Sequence, residues 1–120
     1  MSTRCQILIK EEGLRDEQIM LYHHSDGYPE HILPEIKAAY ALATKDKTNA
    51  WRAGRAGKAA SYLCAIDPGV FETEVGLDLH GDIDYFYELY VCETKWEIQI
   101  TEMGSGGKKD IVLSRRLLET

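Results

Sequence analysis

The stretch TRCQILIKEEGLRDEQIMLYHH, residues 3–24, decides the fold. Cys5, Ile7 and Ile9 alternate with Arg4, Gln6, Leu8 and Lys10, which is the two-residue period of a half-buried strand. EEGLRDE (11–17) is polar and holds a glycine, so it reads as a hairpin loop. QIMLYHH (18–24) alternates again, with Ile19, Leu21 and His23 opposite Met20, Tyr22 and His24. The short connection makes the two strands antiparallel.

Asp26-Gly27 breaks the second strand. Pro29 suits a first helical turn, but Pro34 in a helix interior would remove a hydrogen bond and clash with the preceding turn. The expectation is an irregular or 3₁₀ turn over 29–33 and a regular helix over 34–45, with Ile36, Ala39, Tyr40 and Ala43 at helical spacing. Thr48 or Asn49 can cap a second, Ala-rich helix over 50–66, which Asp67-Pro68-Gly69 stops. VFETEV (70–75) alternates like a strand, and GLDLHGD (76–82) reads as a loop or short edge strand. DYFYELYV (84–91) and TKWEIQIT (94–101) are strands joined by a two-residue hairpin turn at Cys92-Glu93. GSGGKK (104–109) reads as a turn, and DIVLSRRLLE (110–119) as a last strand, over 110–114, or a short C-terminal helix, the strand being favoured. The order is β-β-α-α-β-β-β in a single domain over 1–120. That is an α+β sandwich, with two helices on one face of a mainly antiparallel sheet.

A chain of 120 residues with 44% apolar content and seven Tyr can bury a core of its own. No apolar run approaches the roughly 18 residues of a membrane span, and the N-terminus shows no signal-peptide pattern, so the expected location is cytoplasmic. Three dispersed cysteines, Cys5, Cys64 and Cys92, form no CxxC pair and read as free thiols of a reducing compartment. A net charge of −6 argues against extended nucleic-acid binding.

Two segments carry the candidate chemistry. YHHSDGYPEH (22–31) gathers three histidines and an aspartate around a turn. His23 and His24 are consecutive on a strand and point to opposite faces, so they cannot both grip one ion. His24, Asp26 and His31 are the metal-ligand candidates, yet their spacing matches no zinc signature, and no cofactor is expected. The plainer reading makes Asp26 a cap of the following turn, with His23 on the core face beside a hydrogen-bond partner. The binding candidates at this turn are His24, Asp26, Tyr28 and His31. WRAGRAGKAAS (51–61) places Arg52, Arg55 and Lys58 at three-residue intervals, a basic stripe suited to an anionic ligand, or a solvated helix face opposite Glu72 and Glu74. The aromatic group of Tyr85, Phe86, Tyr87, Tyr90 and Trp96 reads as core and sheet surface. DLHGDIDY (78–85) lacks the spacing of an EF-hand. Walker, GxGxxG, GxSxG and HExxH motifs are absent.

The opening MSTRCQI, the turn His24-Ser25-Asp26-Gly27-Tyr28-Pro29, and the Tyr-rich strand 84–91 followed by Trp96 resemble a loose set of small uncharacterised bacterial, archaeal and phage proteins. The likeness touches both ends of the chain. It implies a small cytoplasmic protein, often encoded by mobile elements, and carries no activity.

The functional expectation is a non-enzymatic binding protein that takes a protein partner or a small anionic ligand. Its site would lie where strand 18–24 meets the helix, with Arg52 and Arg55 supplying charge. The alternatives are a small metal- or His-dependent hydrolase or nuclease, and a homodimer that pairs through exposed strand edges or its aromatic face.

Overall fold

A computed structural model describes residues 3–11, 17–103 and 110–119. Most of the expected loop 11–17 and all of the expected turn 104–109 lie outside them. The elements run β1 (Cys5–Glu11), β2 (Gln18–His23), α1 (Pro29–Thr44), a 3₁₀ segment (Lys47–Gly54), α2 (Ala56–Ile66), β3 (Phe71–Thr73), β4 (Tyr85–Val91), β5 (Lys95–Met103) and β6 (Asp110–Glu119).

The alternation in residues 3–24 becomes the β1–β2 antiparallel pair, with Cys5 opposite His23 and Ile9 opposite Ile19. Strand order across the sheet is β3-β2-β1-β4-β5-β6. The class is α+β with a mostly antiparallel sheet, as the element pattern suggests, but β1 and β4 pair in parallel at its centre, Cys5 beside Tyr85 and Val91 beside Glu11. The sheet is therefore mixed. Two hairpins, each antiparallel within itself, meet along one parallel seam. The alternating segment after α2 shrinks to β3, a three-residue edge strand on β2, and residues 76–82 form no strand. The last strand extends to Glu119 rather than ending near 114.

Both helices pack on one face. Ile32, Ile36, Ala39 and Ala43 of α1 and Ala56, Ala59 and Leu63 of α2 join Cys5, Ile7, Ile9, Leu21, Tyr87, Leu89, Trp96, Ile98 and Ile100 in one buried cluster. Alanine dominates the helix side, so the helices lie close to the large sheet residues.

Helix α1 starts at Pro29 and runs through Pro34, five residues before the expected start. A proline at the sixth position forgoes the bond to the Glu30 carbonyl, and both Glu30 and Pro34 are exposed, where a helix can spare that bond at low cost. The expected single helix 50–66 is instead two pieces. Arg55 is extended (φ −111, ψ 126) and separates the 3₁₀ segment from α2. The break follows from tertiary contacts. The Trp96 indole N–H donates to the Ala53 carbonyl at 2.7 Å, and a Cβ on Gly54 would lie 3.0 Å from the Glu93 backbone nitrogen. Asp46, rather than Thr48 or Asn49, caps the first piece by accepting from Thr48 N at 3.0 Å. The β4–β5 turn spans residues 92–94 and is closed by Cys92 N donating to Lys95 O at 3.0 Å, one residue longer than expected.

On the other sheet face, residues 74–84 cross the strands. Gln6 is fully buried beneath them; it donates to the Asp78 carbonyl at 3.2 Å and accepts from His80 N at 2.8 Å. His80 stacks on Tyr22 (centroids 4.9 Å apart), and its Nε2 lies 2.6 Å from Glu74 Oε1. Among the described residues, no helix is long and apolar enough to cross a membrane.

Candidate metal centre

The turn 24–28 is built by packing. Asp26 adopts φ 55, the left-handed region that Asp tolerates better than most residues. Gly27 then passes so close to β1 that a Cβ would lie 2.9 Å from both Cys5 Cβ and Cys5 N. Its N–H donates to Thr3 O at 2.8 Å, and its carbonyl accepts from the buried Tyr87 hydroxyl at 2.7 Å. Only glycine fits that gap. Asp26 does not cap α1: the N-cap is Tyr28, and no side chain bonds to it.

The turn carries the chain from the end of β2 into α1, and this brings His23 against the first turns of the helix. His31 and Glu35 stand one turn apart on one helix face. Asp67, directly after α2, closes the group. The ligating atoms of His23, His31, Glu35 and Asp67 all lie within 4.8 Å of one another. His31 Nε2 is 2.6 Å from Glu35 Oε1, and His23 Nε2 is 3.7 Å from the same oxygen. Phe71 packs edge-on against His23, with centroids 4.7 Å apart, and walls the group from β3.

Burial is graded. The side chains of His23 and Glu35 are 1% and 10% exposed, whereas that of His31 is 37% exposed and opens the group to solvent. Both ring nitrogens of His23 and both carboxylate oxygens of Glu35 lack an aligned hydrogen-bond partner among the described residues. His23 is buried on the core face as expected, and the Ser25 backbone is the hydrogen-bonding group beside its ring, without full alignment. Burial pushes the His23 pKa below its ordinary value, and the neighbouring His31 acts in the same direction, against the Ser25 backbone. Burial raises Glu35, and Asp67 adds to the rise, against the pull of His31. Cys5, strand partner of His23, has its thiol pushed up by burial and by Glu35, and its sulfur is not among the four clustered donors.

Imidazole nitrogens and carboxylate oxygens brought together in this way are donors for a divalent ion. Imidazole with carboxylate suits zinc and the neighbouring first-row metals. Tetrahedral zinc with bonds of about 2.1 Å sets its donors about 3.4 Å apart, so donors now up to 4.8 Å apart would close by as much as about 1.4 Å and the His31–Glu35 pair at 2.6 Å would open by about 0.8 Å.

Of the residues singled out from sequence, the fold brings only His31 into this group. His24 is exposed on the opposite sheet face, edge-on to Tyr22 (centroids 5.6 Å apart). Asp26 is exposed, and Tyr28 borders the group, its ring 6.1 Å from that of His31. The basic stripe lies elsewhere. Arg55 Nε is 3.5 Å from Glu11 Oε1, at the far end of β1 from Cys5 and His23. Six residues of strand separate those ends by about 20 Å, so the stripe cannot serve the turn. Arg55 thus faces Glu11, not Glu72 or Glu74. Arg52 and Lys58 instead approach the exposed Trp51, each 5.9 Å from its ring centroid.

Glu35 and Asp67 are the donors that sequence reading missed, and His23 was read as structural. The signal for Glu35 is the His31-x-x-x-Glu35 spacing, which aligns both on one face once the helix begins at Pro29. Asp67 gives no such signal, since Asp-Pro-Gly reads fully as a helix stop. In comparisons with protein-family models, curated proteins and solved structures, nothing matches this chain.

Proposed function

We propose that this is a non-enzymatic binding protein whose ligand at this site is a divalent transition-metal ion, held by His23, His31, Glu35 and Asp67. The observation that carries the reading is the convergence of four ligating atoms within 4.8 Å around two nearly buried donors, His23 and Glu35, whose hydrogen bonds to one another's neighbours and to Ser25 are poorly aligned. Buried polar atoms without partners cost free energy unless something engages them.

Four protein donors complete a tetrahedral set. Closed sets of that kind mark structural or storage sites, whereas catalytic sites keep a position for water or substrate. That favours binding over hydrolysis. The donors come from β2, α1 and the residue after α2, so a bound ion would tie three elements together and stabilise the fold. Three free cysteines accord with a cytoplasmic, reducing location.

The test is metal uptake by chelator-treated protein, read by native mass spectrometry and calorimetry with Zn(II) and Mn(II). One equivalent of metal is expected, with affinity at least tenfold weaker in Glu35→Gln and His31→Ala and unchanged in His24→Ala. Absence of stoichiometric uptake, or equal losses in His24→Ala and His31→Ala, overturns the assignment.

A further inference from the structure

A second site stands at the other end of α1. Residues 45–58, KDKTNAWRAGRAGK, hold five basic side chains and one acid, in a chain whose net charge is −6. Arg55 turns to Glu11, while Lys45 and Arg52 stay together in one cleft and Lys58 stays by Trp51. A cleft of about 530 Å³ opens between the end of α1 and the 3₁₀ segment, lined by Leu42, Lys45, Asp46, Asn49, Arg52 and Tyr62. That volume falls within the range of small-molecule sites.

Arg52 joins the cleft to an aromatic surface. It lines the cleft and also stands over Trp51, which is 42% exposed and has Lys58 at the same distance. The Arg52 Nε–H is shielded from solvent and has no acceptor among the described residues. A guanidinium with a free, shielded donor is suited to phosphate oxygens. Asp46 is the one acid in the lining, and its two oxygens are engaged by Thr48 N at 3.0 Å and Asn49 Nδ2 at 2.7 Å. An exposed indole beside such cations gives a planar ring a surface to stack on. Both cations stand near the outer limit of the cation–π range, and base stacking on an aromatic outweighs such exposed contacts.

We propose that this cleft binds a mononucleotide, its phosphate held by Arg52 and Lys45 of the lining and its base stacked on Trp51 beside the cleft, where Lys58 adds positive charge. An extended polynucleotide fits less well, because the residues outside 45–58 carry a net charge of −10 and would repel it.

Trp96 is fully buried, so quenching of Trp51 reports on the cleft. The experiment titrates the full chain with AMP, adenosine, inorganic phosphate and a single-stranded oligonucleotide, by fluorescence and calorimetry. AMP is expected to quench saturably, to weaken as salt rises, and to bind at least tenfold tighter than either phosphate or adenosine. Arg52→Gln and Trp51→Ala should each weaken AMP at least fivefold with unchanged circular dichroism, and Lys58→Gln should do so to a smaller degree. His31→Ala should leave AMP binding unaltered. Equal binding of AMP and phosphate, indifferent to Trp51→Ala, means a nonspecific anion patch and overturns the proposal. So does the absence of AMP binding, or tighter binding of the oligonucleotide.

Discussion

His31 Nε2 lies 2.6 Å from Glu35 Oε1, one helical turn away, and His23 Nε2 lies 3.7 Å from the same oxygen. Two imidazoles thus converge on one carboxylate oxygen, with Asp67 close by. Zinc at about one hundred times its dissociation constant should therefore stabilise the protein by about 2.7 kcal/mol and raise the melting temperature by roughly 10 °C. Differential scanning calorimetry with and without chelator measures this. A melting temperature indifferent to zinc would sink the metal assignment.

Gly27 offers a second test, because its role is steric. A methyl group there would press on Cys5 within 2.9 Å and shift the carbonyl that accepts from Tyr87. Gly27→Ala is expected to cost about 1–3 kcal/mol, the range of core overpacking, read as a lower urea midpoint with an unchanged slope. Asp26→Asn should change stability far less, since Asn tolerates the left-handed region equally well.

Trp96 is fully buried and its N–H reaches the Ala53 carbonyl at 2.7 Å. Trp96→Phe removes that donor and leaves a space that the surrounding core fills only in part. The expected loss is about 2–4 kcal/mol in urea unfolding. Trp51→Phe, at an exposed position, should stay within about 0.5 kcal/mol of the parent. Comparable losses in the two variants would contradict the arrangement described here.

Asp46 gives a pH-dependent signature. Bonds from the Asn49 side chain and the Thr48 backbone hold its carboxyl below the ordinary value. A depressed carboxyl contributes stability that is present above its unfolded value and lost as pH falls through the folded one. Wild type should therefore exceed Asp46→Ala in urea midpoint at pH 6, and the gap should narrow steadily below about pH 4. A gap independent of pH would mean that the carboxylate does not cap residues 47–54.

Alternation was legible wherever one face of a strand is buried and the other is not. Residues 85–91 and 96–100 give their strands away for that reason, whereas β1 is buried on both faces and shows its alternation only through Arg4, Gln6 and Lys10. The parallel seam between β1 and β4 was not legible, because both strands are flanked by sequence-local hairpin partners and nothing in either segment encodes the other. The break at Arg55 escaped for a related reason. Ala-rich periodicity favours a continuous helix, and only the distant Trp96 and Glu93 contacts interrupt it. The metal group failed on one boundary. Starting the helix at Pro34 rather than Pro29 left His31 outside it and hid the spacing to Glu35. The basic stripe was legible as charge but not as geometry: Arg52, Arg55 and Lys58 fall on three different pieces of backbone, and Arg55 turns to Glu11.

The seam along β1 has a consequence for how the chain emerges from the ribosome. Cys5 meets His23 early, but its other neighbour, Tyr85, lies 80 residues downstream. Pairings this far apart in sequence slow folding, since a long loop must close before they form. Until Tyr85–Val91 has been synthesised, β1 presents an open apolar edge to the surroundings. Nascent chains stalled before residue 91 should thus be the species most prone to aggregate and most dependent on chaperones.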